Sequence, residues 1–224
     1  TDLSLISAQT LRTDGASVSA ENLNLQAKIW SNVGGSVRHT GGLDWALVLA
    51  NLDNTNGLIA TNAANFSLNT PQFINQNGQL QHAGTGDFSL AAKLLEGQNG
   101  EIVSNGALNF QGDVVNLDGA STSAKLLNIH TKTLSNVGGQ LIQTGDGDQS
   151  LVATDKLDNT NGLIATNAAN LAIQTQQLIN QSNGLNAENK PNTAQIQHAG
   201  TGAFSLAVTV LDGQNGELIS NGAL

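Results

Sequence analysis

Apolar and polar side chains alternate in short segments along the whole chain. Several segments carry two apolar residues that flank one polar residue: Leu23 and Leu25, Phe66 and Leu68, Phe88 and Leu90, Leu108 and Phe110, Leu171 and Ile173, and Phe204 and Leu206. A period of two places alternate side chains on one face of a strand. The pattern therefore predicts β-strands with one buried face. Frequent Asn and Gly argue against long helices.

Tight corners recur at a spacing of about 19–23 residues. They are marked by Asn-Gly, Asp-Gly or Gly-Gly, which tolerate the positive φ of a tight turn. We place the corner glycines at Gly15, Gly35, Gly57, Gly78, Gly100, Gly119, Gly139, Gly162, Gly184 and Gly216. A large apolar residue stands five positions earlier in most units: Trp30, Leu52, Phe73, Leu95, Leu134, Leu157, Ile179 and Leu211.

An apolar column that keeps this period favours a solenoid over an antiparallel meander of hairpins, whose corners come every 8–12 residues. Three short strands and three turns fill about 20 residues, and successive coils stack about 4.8 Å apart. We therefore predict an all-β parallel β-helix of about ten coils. It forms one segment over residues 1–224.

A longer repeat is superimposed on the coils. The segment LDNTNGLIATNAAN occupies residues 52–65 and returns at residues 157–170, about 105 residues later. We divide the chain into two blocks, residues 1–109 and 110–224, and the second carries an insertion near residues 185–194. The chain contains no Met and both termini fall inside repeats, so we expect a fragment of a longer protein.

The segments LDNTNGLIATNAANLAIQTQQLINQSNG and LEGQNGEIVSNGALNF resemble the repeats of filamentous haemagglutinin, which also form the shafts of contact-dependent growth-inhibition toxin-delivery proteins. The resemblance implies a right-handed β-helix, exported through an outer-membrane transporter by two-partner secretion. It also implies a role in adhesion or in carrying a toxin. We therefore expect a structural shaft segment of a secreted protein at the bacterial cell surface, and not an enzyme.

Composition narrows the choice of partners. The net charge is −9 and the eight basic residues are scattered, whereas nucleic acids and anionic membrane surfaces attract basic patches. We expect neither as a partner. The chain has no Cys, which excludes disulfides and thiolate metal sites. No apolar run approaches the roughly 18 residues of a spanning helix, so we expect no membrane insertion by this segment.

Repeated histidines are the first candidate for a metal site. His82 and His198 lie in identical QHAGTG segments, and His39 takes the equivalent place. Zinc sites use several His ligands together. The same column holds Thr61 and Ser104 in other coils, so we interpret it as a polar surface position before a turn and expect no metal.

Carboxylates are the second candidate. Residues 145–148, GDGD, have the composition of a calcium loop but occur once, so a solvated turn is the better interpretation. Glycoside hydrolysis needs two carboxylates that flank one groove. Asp53 and Asp158 share a corner column five coils apart, and Asp44, Asp87 and Asp113 are isolated in the repeat pattern. We expect no catalytic residue and no cofactor.

The insertion is the third candidate, because solenoids often bind partners through loops that break the period. We predict a partner-binding loop formed by Asn186, Glu188, Asn189, Lys190, Pro191 and Asn192. A receptor- or glycan-binding segment is accordingly the second hypothesis, with Trp45 as a candidate solvent-facing aromatic. Trp30 is less suitable because it lies in the apolar column. A polysaccharide-active β-helix enzyme is the third hypothesis.

Overall fold

The chain winds as a parallel β-solenoid. A computed structural model describes residues 1–186 and 188–223, and the part that it describes contains strands and turns but no helix. All pairings between its named strands are parallel, from the first coil to the last. This confirms the predicted all-β solenoid of about ten coils.

Three short strands form each of the first three coils, and in later coils adjacent strands merge around the bends. The strands, numbered in chain order, are β1 Asp2–Ile6, β2 Thr10–Arg12, β3 Ser17–Ala20, β4 Asn22–Gln26, β5 Ile29–Ser31, β6 Ser36–His39, β7 Trp45–Val48, β8 Asn51–Asp53, β9 Leu58–Thr61, β10 Phe66–Ile74, β11 Gln79–His82, β12 Asp87–Glu96, β13 Glu101–Asn116, β14 Ser121–Ser135, β15 Gln140–Gln143, β16 Gln149–Asp158, β17 Leu163–Thr166, β18 Leu171–Ile179, β19 Gln195–His198, β20 Phe204–Asp212 and β21 Glu217–Ser220.

Each coil has three sides, which we call A, B and C in chain order. In the third coil these are β7, β8 and β9, whereas in the fourth coil β10 supplies sides A and B and β11 supplies side C. β10 pairs with β7 and β8 of the coil before it and with β12 of the coil after it. Each inner coil is thus held on both edges by backbone hydrogen bonds.

Inward-facing residues stack into continuous columns. On side B, Trp30 pairs with Leu52 and Leu52 with Phe73, and all three are fully buried. The predicted apolar column is therefore correct in these coils. It is wrong at Ile179, because Leu178 occupies the column and Ile179 is only half-buried. The prediction is displaced by one residue here because it was counted from Gly184, which lies within the insertion at the following corner.

The corner between sides B and C explains the Asn-Gly dipeptides. Asn56 takes the positive φ, 55°, and at Gly57 an added Cβ would overlap the backbone oxygen of Asn32 in the preceding coil. Close approach rather than φ therefore favours glycine at this coil, although alanine takes the same place of the corner at Ala120 and Ala194. Gly15 and Gly119 instead take the positive φ themselves, and an alanine follows each. The predicted corner is thus displaced by one residue in those two coils.

Candidate functional site

A ladder of buried asparagines lines the corner between sides B and C. Nδ2 of Asn32 donates to Oδ1 of Asn54 at 2.7 Å, and Nδ2 of Asn54 donates to Oδ1 of Asn75 at 2.7 Å. Each Nδ2 also donates to backbone oxygens, as from Asn54 to Gly57 and Gln79. The ladder ties three coils together with amides that are not exposed to solvent.

The ladder is interrupted and then resumes. Gly97 and Leu117 occupy the column in the fifth and sixth coils, as the backbone bonds of the corner show. A second ladder links Asn136, Asn159 and Asn180, again with amide distances of 2.7 Å. Oδ1 of Asn136 faces the interruption and is buried with no hydrogen-bond partner. These amides stabilise the solenoid from within and present nothing to a ligand.

The histidine column lies inside the solenoid, so our interpretation of it as a surface position is wrong. His82 is 1% exposed; its Nε2 lies 3.0 Å from the backbone oxygen of Ala63, and its Nδ1 lies 3.0 Å from Oγ of Ser104. The carbonyl can only accept, so Nε2 carries the proton and Nδ1 accepts from the serine hydroxyl. His198 repeats this arrangement with Ala168 and Ser220.

Burial also sets the charge of His82 and of His39. Desolvation lowers the pKa of His82 and of His39 below the ordinary value of 6.5. Nδ1 of His39 lies 2.9 Å from Oγ1 of Thr61, which gives that ring an internal partner as well. Both histidines are therefore neutral at pH 7 and act as hydrogen-bonding spacers of the interior.

Aromatic rings stack beside the histidines. The rings of His39 and Trp45 are stacked with centroids 5.2 Å apart, and Trp45 stacks on Phe66 at the same distance. Phe66 in turn lies 4.8 Å from Phe88. Trp45 is only 5% exposed, so the expectation of a solvent-facing aromatic is wrong at this position. The ring stabilises the core by stacking.

The carboxylates do not converge on one site. Asp53 and Asp158 each accept hydrogen bonds from the threonine two residues later, and Lys156 lies 2.9 Å from Asp158. The hydrogen bonds of Thr160 and the charge of Lys156 outweigh partial burial and lower the pKa of Asp158. Each carboxylate thus accepts hydrogen bonds within its own turn.

The GDGD segment also forms a hydrogen-bonded turn. Oδ1 of Asp148 accepts hydrogen bonds from the backbone N–H and from Nδ2 of Asn170 in the next coil. Asp44 accepts the same pair from Asn65 in the first block. Within residues 1–186 and 188–223, three or more His, Asp or Glu side chains nowhere come together as a metal site would require.

The insertion leaves the coil at the corner between sides B and C. Its bounds are residues 183–193: Ser182 ends one coil segment, and Ala194 is fully buried in the place that glycine takes in other coils. The predicted bounds, residues 185–194, are thus slightly displaced, and Gly184 belongs to the loop rather than to the corner. Ala194 N donates to Oγ of Ser182 at 2.7 Å, which closes the base of the loop.

The predicted binding residues form one exposed turn of this loop. Oδ1 of Asn186 accepts from the backbone N–H groups of Glu188 and Lys190 at 2.9 and 3.0 Å, and the side chains of Glu188 and Lys190 form an ion pair at 2.8 Å. Asn189 takes a positive φ, and Pro191 is exposed. Ala187 lies outside the described residues. The structure brings the predicted residues together on the surface.

Sequence reasoning missed an open groove along the bend between sides A and B. Across the fourth to seventh coils it is lined by Asn69, Pro71, Lys93, Asp113 and His130 among others. A second stretch at the same bend, in the eighth to tenth coils, is lined by hydroxyl, amide and small apolar side chains. The groove offers hydrogen bonds but only scattered charges.

Comparison of the chain with models of protein families, with curated proteins and with solved structures found no significant match. Over the described ranges, 1–186 and 188–223, we find no helix with the length and apolar character needed to cross a membrane. The geometry therefore carries the functional argument.

Proposed function

We propose that this chain is a structural shaft segment of a secreted, surface-displayed bacterial filament of the filamentous haemagglutinin type. The parent protein would be an adhesin or a contact-dependent inhibition toxin-delivery protein. One observation carries the proposal: buried apolar columns run through about ten coils, so the molecule is a rod about 48 Å long at about 4.8 Å per coil. A rod of this kind gains length with each coil and keeps its cross-section.

The disposition of polar groups supports a structural role. The amide of Asn54 and the imidazole of His82, which could serve chemistry at a surface, make their hydrogen bonds inside the rod. The carboxylates of Asp53 and Asp158 satisfy their own turns, five coils apart. Outward positions include many hydroxyl and amide side chains, beside exposed apolar residues such as Leu43 and Val48.

Export and localisation follow from the same proposal. A two-partner secretion filament crosses the outer membrane through a transporter partner while unfolded. The lack of Cys suits this route because no disulfide can form before export. The folded rod would then stand at the bacterial cell surface, where it faces a receptor or glycan of a target cell.

Surface display can be tested directly. Antibodies raised against the folded chain should label intact cells of the source organism. Labelling only after permeabilisation would refute the proposal, since the chain would then be internal. Labelling of neither preparation in cells shown to express the chain, with label only in the medium, would place it on a released rather than an attached filament.

Shaft and binding roles are separated by a deletion that keeps the register. Removal of residues 53–157 joins Leu52 to Asp158 and restores LDNTNG across the join. The parent filament should become shorter by about 24 Å, that is five coils at about 4.8 Å, and should still adhere or deliver its toxin. A filament that is displayed normally but has lost this activity would exclude a pure spacer.

The alternative is a receptor- or glycan-binding segment of the same filament, and the exposed loop of residues 183–193 favours it. Its turn around Asn186 presents polar side chains in a fixed geometry. The test compares binding of the intact chain and of a chain without residues 183–193 to target cells and to a glycan array. Loop-dependent binding would support this alternative, and turnover of an acidic polysaccharide would instead support the less favoured enzyme.

A further inference from the structure

The chain contains eight Asn-Gly dipeptides, which are the sequences most prone to spontaneous deamidation. Glycine has no side chain to hinder its own nitrogen, so that nitrogen can attack the amide carbon of the preceding asparagine. The asparagines are Asn56, Asn77, Asn99, Asn105, Asn161, Asn183, Asn215 and Asn221. Whether each one reacts depends on whether the fold leaves the glycine nitrogen accessible and free to move.

The solenoid holds seven of the eight glycine nitrogens. At the corners each N–H donates to the backbone oxygen three residues earlier, as from Gly78 to Asn75 at 3.0 Å. Away from the corners, Gly106 N donates to Oγ of Ser104 at 3.2 Å. The nitrogens with such a bond belong to Gly57, Gly78, Gly100, Gly106, Gly162, Gly216 and Gly222. None of these glycines is exposed, so the reaction at each of them requires the coil to open.

Gly184 is the exception. It is exposed in the loop of residues 183–193, and an added Cβ would meet only Nδ2 of Asn192, at 3.6 Å. Within residues 1–186 and 188–223, its N–H has no hydrogen-bond acceptor. Asn183 is also exposed, and its Oδ1 accepts from Nδ2 of Asn161 at 3.1 Å. A donor to that oxygen stabilises the negative charge that develops on it during attack at the amide carbon.

We propose that Asn183 is a site of spontaneous deamidation, and that the fold protects the other seven Asn-Gly sequences. Solvent takes the proton from the Gly184 nitrogen, that nitrogen forms a bond with Cγ of Asn183, and the amide nitrogen receives a proton and leaves as ammonia. Water then adds to one of the two carbonyl carbons of the resulting succinimide and breaks its bond to the ring nitrogen. The product is aspartate or isoaspartate, with no oxidation or reduction. This inference is independent of the proposed function.

The reaction changes the stem of the loop but not the rod. Asn183 N donates to Oδ1 of Asn161 at 2.8 Å, and the backbone oxygen of Asn183 accepts from Nδ2 of Asn192 at 2.9 Å. Isoaspartate lengthens the main chain by one methylene at this point, and either product adds a negative charge. The bond between Ala194 N and Oγ of Ser182 closes the base of the loop on the rod side of Asn183. The predicted binding turn would therefore change position while the coils keep theirs.

Heavy-oxygen water reveals where the reaction occurs, because hydrolysis of the succinimide places one solvent oxygen in the product. The folded chain is incubated in mildly alkaline heavy-oxygen water, digested in ordinary water and mapped by tandem mass spectrometry. The label should appear at Asn183, and the other seven asparagines should react at least about tenfold more slowly because each requires local opening. Asn77 is the internal control, since it is exposed and precedes a corner glycine whose nitrogen is hydrogen-bonded.

The same incubation in concentrated urea removes the protection. All eight asparagines should then react at similar rates, since they share the Asn-Gly sequence. The substitution Asn183→Gln should abolish the label in the loop, because glutamine would have to form a larger ring, and should leave the other seven positions unchanged. Equal labelling of Asn183 and Asn77 in the folded chain, or labelling of neither, would overturn the proposal. So would a preference for Asn183 that persists in urea, because the fold would then not be its cause.

Discussion

The middle of an asparagine ladder is the most informative place to perturb this fold. Asn54 is fully buried, accepts a 2.7 Å hydrogen bond from Asn32 and donates one of 2.7 Å to Asn75. The substitution Asn54→Ala removes both bonds and leaves Oδ1 of Asn75 buried without a donor. We expect a large loss of stability from a change that removes hardly any apolar area.

The magnitude follows from the bonds that are lost. Each net hydrogen bond contributes about 1 kcal/mol, and an unsatisfied buried group costs about 1–3 kcal/mol. Asn54→Ala should therefore lower the free energy of unfolding by about 3 kcal/mol. Asn136→Ala should cost about 1 kcal/mol less, because Oδ1 of Asn136 already has no partner and only one ladder bond is broken.

The assay is urea unfolding followed by far-ultraviolet circular dichroism. The urea concentrations at the unfolding midpoint are compared only between variants whose transitions have the same slope. This condition is needed because a repeat protein can unfold in stages, which changes the slope. Asn62→Ala is the matched control: Asn62 is exposed and makes one bond, from Nδ2 to the oxygen of Thr40. Equal midpoints for Asn54→Ala and Asn62→Ala would refute the ladder as a source of stability. Equal losses of unfolding free energy for Asn54→Ala and Asn136→Ala would refute the assumption that the contributions of single hydrogen bonds add.

Three further changes test other parts of the structure by the same unfolding assay. Gly57→Ala forces a Cβ against the backbone of the preceding coil and should cost about 3 kcal/mol, whereas Gly213→Ala, which meets open space, should change stability by less than about 0.5 kcal/mol. Burial lowers the pKa of His82 in the folded chain, so the unfolded chain binds a proton at this histidine more readily as the pH falls below 6.5. The free energy of unfolding should therefore be highest above that pH and decrease below it. The substitution His82→Thr should make this decrease smaller. Deletion of residues 183–193 should change the free energy of unfolding by less than about 0.5 kcal/mol, because none of the loop residues that the structure describes belongs to the core.

The architecture was predictable because its periodicities are redundant. The alternation in segments such as Phe66 and Leu68 predicts strands, and the side B column of Trp30 and Leu52 predicts their stacking. A column of like residues is a strong constraint, since an error in one coil is corrected by its neighbours. The predicted register fails at Ile179, which precedes the corner with the insertion, and at Gly15 and Gly119, where glycine instead of asparagine takes the positive φ.

The buried polar columns were harder to predict. Asparagine stands three positions before the corner glycine at Asn54, Asn75 and Asn159, and this recurrence was available in the sequence. Polar type alone suggested a surface, as it did for His82. Burial of a polar group depends on whether its neighbours satisfy it. Whether His82 is satisfied depends on where Ala63 and Ser104 lie along the solenoid axis relative to its ring, and only the three-dimensional register supplies those positions.

The interior network explains why the solenoid tolerates its insertion. Nδ2 of Asn54 donates to the oxygen of Gln79 at 3.1 Å, 25 residues away, and Nδ2 of Asn159 donates to that of Gln195 at 3.2 Å, 36 residues away. The bond is the same although the loop of residues 183–193 lies between its partners. The columns connect coils through space, so chain added at an outer corner leaves them unchanged. Specific recognition can therefore arise on that loop without a cost to the rod, which is why partner binding is best sought there.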